Sequence, residues 1–75
     1  MLLEIQNQDG KTMQQLGMLN GNYIVYHCNG YQEKISDIFL FLKELYPALQ
    51  LYQFIDCVKK HKIIKLDNCY LVNVL

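Results

Sequence analysis

The sequence contains no arginine, no tryptophan and a single proline in a chain of 75 residues. Arginine is the side chain best suited to bidentate contacts with phosphate and guanine, so its absence lowers the expectation of nucleic-acid binding. Seven lysines balance seven acidic residues, and the formal net charge is zero. Nucleic acid is therefore a disfavoured partner, although one basic segment keeps it open as an alternative.

Long uncharged apolar runs are also missing. A helix that spans a bilayer needs about 20 largely apolar residues. In the apolar middle of the chain, the longest charge-free stretch is residues 45–55, and it contains Pro47. Glu4 follows the first apolar residues directly, where a secretory leader would continue as an apolar run. The three cysteines are odd in number and widely spaced, which favours free thiols. We expect a cytoplasmic protein that does not cross a membrane.

Signatures of catalysis are sparse. The carboxylates are scattered singly, so none forms the close pair that acid–base chemistry on glycosides needs, and the four glycines lie apart rather than in a phosphate-binding loop. Cys57 and His61, four residues apart on a predicted helix, come nearest to a zinc or nucleophile site, with Cys69 in the following strand and His27-Cys28 at the end of an earlier one. Buried free cysteine is the commoner explanation of such residues. We expect no enzyme activity, no metal, no cofactor and no small-molecule substrate.

Apolar residues are abundant and concentrated in the middle of the chain. The composition is 52% hydrophobic, residues 38–42 form an unbroken apolar run, and residues 48–58 admit only three polar side chains. A helix with so narrow a polar stripe is either central in its domain or covered by a partner. Because a 75-residue chain has little mass with which to cover it, we expect surplus apolar surface.

Turn signals divide the first third of the chain into predicted strands. Residues 2–6 are typical of a strand, and Asp9-Gly10 is typical of a tight turn. Residues 12–19 fit either a short helix or a second hairpin strand, and the hairpin turn favours the strand. Residues 23–28, rich in aromatic and β-branched side chains, are the clearest strand.

Two consecutive helices are predicted in the middle of the chain. Ser36 or Asp37 is expected to cap the first helix, residues 37–46. Pro47 disfavours helical geometry in the residue before it and suits the first turn of a second helix, residues 48–61.

The last residues predict a hairpin. Residues 62–66 and 69–75 are rich in apolar side chains and flank a two-residue turn, Asp67-Asn68. Together these patterns predict one α+β domain over residues 1–75. Its small, mostly antiparallel sheet packs against the two consecutive helices, and the chain ends in a C-terminal β-hairpin.

Residues 36–49, SDIFLFLKELYPAL, resemble the helix of small β-grasp sulfur carriers, which ends in Tyr-Pro, and residues 66–74 resemble the last strand of that family. The chemistry of the family resides in a C-terminal Gly-Gly. This chain has Asn73, Val74 and Leu75 in that place. The resemblance therefore implies an accessory domain that lacks the sulfur-transfer chemistry.

The order of two helices followed by a hairpin also resembles a winged helix, with residues 48–61 in the recognition position. That resemblance implies a nucleic-acid-binding regulator that contacts phosphates through a basic segment. The segment comprises Lys59, Lys60, Lys62 and Lys65. An alternative explanation is that cations stabilise a helix C-terminus and protect an edge strand.

The preferred hypothesis is a small non-enzymatic protein–protein interaction module: a regulator, an inhibitor or a self-associating subunit. Its partner would be another protein or a second copy. Burial of apolar area at roughly 25 cal/mol per Å² around aromatic anchors would hold the complex. The contact surface is expected to use the exposed members of one set, which comprises Phe39, Phe41, Leu45, Tyr46, Leu49 and Tyr52.

Overall fold

The computed structural model describes residues 2–25 and 31–74. They form one sheet of six strands, all paired antiparallel, and two helices. The elements are β1 (Leu2–Gln6), β2 (Thr12–Asn20), β3 (Tyr23–Val25), β4 (Gln32–Lys34), α1 (Ile35–Leu45), α2 (Leu51–Lys60), β5 (Ile64–Lys65) and β6 (Tyr70–Val74). The strand order is β4-β3-β2-β1-β6-β5. The predicted α+β class, the consecutive helices and the terminal strand pair are confirmed.

The first hairpin turn forms where Asp9-Gly10 predicted it. Gly10 has a φ of 80°, and the Asn7 side-chain oxygen accepts hydrogen bonds from the backbone N–H groups of Asp9 and Lys11, each at 2.9 Å. This turn joins β1 to β2, so the preference for a strand over a helix in this part of the chain is confirmed. The next hairpin closes with a two-residue loop whose first residue, Gly21, has a φ of 61°.

Gly17 lets β2 and β3 approach closely. Its φ is 147°, and a Cβ at this position would collide with the Val25 carbonyl oxygen and lie 2.8 Å from Ile24 Cγ2. The pairing of β2 with β1 shifts register twice, once between Leu3 and Glu4. Such bulges bend a strand and increase its twist. A side chain at position 17 would therefore push β3 away from the sheet.

Two strands differ from the prediction. The strand expected over residues 23–28 is β3, Tyr23–Val25, and the rest of that prediction lies outside the described residues. The strand β4, Gln32–Lys34, was not predicted, because all three of its residues are polar and exposed. It forms through backbone pairing with β3 at the edge of the sheet, so no hydrophobic alternation marks it.

The helix α1 begins two residues earlier than predicted, and the expected cap at Ser36 or Asp37 is wrong. Lys34 occupies the N-cap position, and within residues 2–25 and 31–74 no side chain makes a capping hydrogen bond to this helix. The Ile35 N–H donates instead to the Asn22 carbonyl oxygen at 2.9 Å. A backbone group of the β2–β3 loop thus replaces the side-chain cap.

The helix α2 begins at Leu51, so the prediction that Pro47 lies in its first turn is wrong. The Gln50 N–H donates to Gln53 Oε1 at 2.9 Å, and the Gln50 side chain accepts from the Gln53 N–H. This reciprocal pair is a capping box, which satisfies two N–H groups that a helix start leaves unpaired. The cap fixes the start of the helix three residues beyond the predicted one.

The connection between the helices, residues 46–50, is held by one lysine. Lys43 Nζ donates to the Pro47 and Leu49 carbonyl oxygens, each at 2.8 Å. Neither oxygen accepts a hydrogen bond within a helix, so the Lys43 ammonium group donates to both of them. This side chain therefore holds the short connection between the two helices in place.

Both helices pack on one face of the sheet. The helix α1 contacts β3 and β4, and α2 contacts β5 and β6. The rings of Phe39 and Phe54 join the two helices, with centroids 5.4 Å apart. The core between helices and sheet comprises Leu3, Ile5, Leu16, Ile24, Ile38, Leu42, Leu49, Phe54, Cys57, Ile64, Cys69 and Leu71.

The described part of the chain contains no helix that is both long and apolar enough to cross a membrane.

Candidate protein-binding surface

The two helices leave apolar side chains exposed as well as burying others against the sheet. Six large apolar side chains of α1 and α2 are 40 to 66% exposed. We call this set the outer helix surface; it comprises Leu40, Phe41, Leu45, Leu51, Tyr52 and Ile55. Exposed apolar patches rimmed by polar residues commonly mark interaction sites.

Helical geometry explains why α1 has an exposed apolar residue between two buried ones. Each residue advances about 100° around a helix, so positions two apart lie on nearly opposite sides. Ile38 and Leu42 point to the sheet and are buried. Leu40, between them, is 59% exposed. The uninterrupted run of residues 38–42 thus supplies the core and the outer helix surface at once.

The structure separates the six predicted contact residues into three groups. Phe41, Leu45 and Tyr52 belong to the outer helix surface. Phe39 and Tyr46 are partly buried against the core, and Leu49 is only 3% exposed within it.

Three members of the outer helix surface were missed from the sequence. They are Leu40, Leu51 and Ile55. The signal that could have found two of them is spacing: Leu51 and Ile55 are four residues apart and therefore neighbours on the helix surface, and Ile55 is about 100° around the helix from the buried Phe54.

The partly buried aromatic residues have structural partners. Phe39 packs its ring on Phe54. The Cys69 thiol donates to the Tyr46 hydroxyl oxygen across 3.6 Å. This hydrogen bond, with burial as a smaller cause, raises the pKa of Tyr46 above its ordinary value. Both rings therefore help to join the helices to the rest of the core.

The two helices bring charges of opposite sign to the outer helix surface. On α1 the exposed ionisable residues are Asp37 and Glu44, both acidic. On α2 the exposed Lys59 lies beside the apolar residues, one turn after Ile55. Lys43 is directed into the connection between the helices. The surface is therefore negative along α1 and positive at the end of α2.

The predicted basic segment is exposed but divided between two places. Lys60 Nζ and Lys62 Nζ lie 3.8 Å and 3.7 Å from the two carboxylate oxygens of Asp56. Lys65 lies in β5, at the sheet edge. The last strand, β6, pairs with β1 along its whole length, so the terminal hairpin is part of the main sheet rather than a separate wing.

The residues that suggested a metal or nucleophile site are engaged elsewhere. The Cys57 thiol donates to the Leu71 carbonyl oxygen at 3.6 Å, and His61 Nδ1 lies 3.1 Å from the Asn73 carbonyl oxygen. Burial raises the pKa of the Cys57 thiol to about 11, partly offset by a backbone hydrogen bond with Asn73. Among the described residues, no three histidine, cysteine or carboxylate side chains are grouped as metal ligands. His27 and Cys28 lie outside the described residues.

A second apolar surface, on the side of the sheet away from the helices, was not predicted. Register and burial place Leu2, Met18, Val25, Tyr70, Val72 and Val74 there. We call it the open sheet face. Glu4 lies in its middle and is only 5% exposed, and its Oε1 accepts from Gln6 Nε2 at 2.7 Å and from Thr12 Oγ1 at 2.9 Å.

Comparison of the chain with protein-family models, with curated proteins and with solved structures gives no match, so neither the β-grasp nor the winged-helix resemblance gains support.

Proposed function

We propose that this protein is a non-enzymatic protein–protein interaction module that binds its partner through the outer helix surface. The observation that carries the proposal is the exposure of six large apolar side chains on two adjacent helices. A half-exposed large side chain presents roughly 100 Å², so the set amounts to about 600 Å². That total, divided between the two helices, is comparable to the largest apolar patch on a typical soluble monomer, and this chain is much smaller than most.

The open sheet face is the weaker candidate for a contact surface. Its strand residues Leu2, Val72 and Val74 are partly buried by one another, whereas Leu40 and Tyr52 are 59% and 66% exposed. One solvated face is also the ordinary condition of an antiparallel sheet. No such general rule explains the exposed apolar side chains of the outer helix surface.

The charges of the outer helix surface favour a protein over a nucleic acid. Asp37 and Glu44 would repel phosphates along α1. Asp56 already offsets part of the charge of Lys60 and Lys62 at the end of α2. A protein surface with both apolar side chains and charges of either sign complements this pattern better.

The test is site-specific photo-crosslinking in an extract of the native cells. A benzophenone amino acid replaces Tyr52 on the outer helix surface or, as the matched control, Tyr70 on the open sheet face. We expect position 52 to give discrete adducts with protein, either a second copy or another chain, and position 70 to give few. Absence of protein adducts at position 52, or equal labelling at both positions, would contradict the proposal.

A further inference from the structure

We draw no further inference here: the strongest candidate, the shallow cleft of about 370 Å³ that Leu19, Ile35 and Val58 line between the β2–β3 loop and the two helices, carries nothing, because nothing among the described residues shows what covers it.

Discussion

The inner and outer sides of the helix pair are similar in composition and opposite in environment. Ile38, Leu42 and Phe54 point inward and are at most 1% exposed, whereas Leu40 and Tyr52 point outward and are more than half exposed. The sheet covers one side of the helices only. Apolar composition therefore indicates that a segment has side chains to bury. The fold shows which of those side chains the rest of the chain buries.

Because of this difference in burial, the two sides of the helices should respond to substitution in different ways. Inner residues contribute to the free energy of unfolding, because their removal leaves a cavity or buries a charge. Outer residues should contribute little to the free energy of unfolding of one chain and, under the proposed function, more to binding of a partner. Matched substitutions on the two sides measure this contrast.

The largest effect should come from a charge on the inner side. Leu42→Asp places a carboxylate in the core and should destabilise the domain by more than about 4 kcal/mol, enough to unfold much of it. Leu40→Asp, two residues away on the outer side, should stay within about 1 kcal/mol of the natural sequence. Urea unfolding followed by circular dichroism at low protein concentration measures both. Equal losses would show that the assignment of sides is wrong.

Truncation of an aromatic residue should give the next largest effect. Phe54→Ala removes a ring that is 1% exposed and that contacts Phe39, so we expect a loss of roughly 3–5 kcal/mol. Tyr52→Ala should change the unfolding free energy by less than about 1 kcal/mol. The same denaturation experiment serves here, and a costly Tyr52→Ala variant would place that ring in the core.

The buried thiol gives the inner side a distinct pH dependence. Burial raises the pKa of Cys57 from 9.0 to about 11. Between these values the folded chain keeps a proton that the unfolded chain has lost. Stability from this group is complete below pH 9 and should fall by roughly 1.4 kcal/mol per pH unit above it.

Unfolding free energies of the natural sequence and of Cys57→Ala, measured from pH 8 to about pH 10.5, isolate this contribution. The difference in stability between the two proteins should shrink as pH rises, because the variant lacks the titrating thiol. A constant difference would mean that the thiol titrates alike in the folded and unfolded chains.

The smallest effect on stability should come from the connection between the two helices. Lys43→Met removes both hydrogen bonds to the connection while keeping much of the side-chain length, so we expect a loss of about 1–2 kcal/mol. Lys59→Met, on the outer helix surface, should be nearly neutral for the unfolding of one chain. Thermal melts at low concentration compare the two variants. If Lys43→Met caused no loss of stability, the two Lys43 hydrogen bonds would not contribute to the free energy of unfolding.

Local sequence patterns were enough to predict the fold class. The Asp9-Gly10 turn and the terminal Asp67-Asn68 turn each join two strands, as predicted. The edge strand β4 was missed because its residues are polar and its formation depends on backbone pairing with β3. The start of α2 was misplaced because Pro47 is the stronger local signal, whereas the Gln50–Gln53 capping box depends on glutamines, which are less common in that role.

The candidate site was only partly predictable, for a geometric reason. Leu49 was grouped with Tyr52 among the predicted contact residues because the second helix was predicted to begin at residue 48. Leu49 lies instead in the connection before α2, where helical spacing does not apply, and it is buried.

The most direct measurement of the central claim compares amide NMR spectra of isotope-labelled protein in an extract of the native cells with spectra in buffer. If the outer helix surface binds a protein, either a second copy or another chain, shifts or line broadening should map to exposed positions of α1 and α2. The strands of the open sheet face should stay unchanged. Spectra in extract that match those in buffer, or changes confined to the strands, would contradict the account.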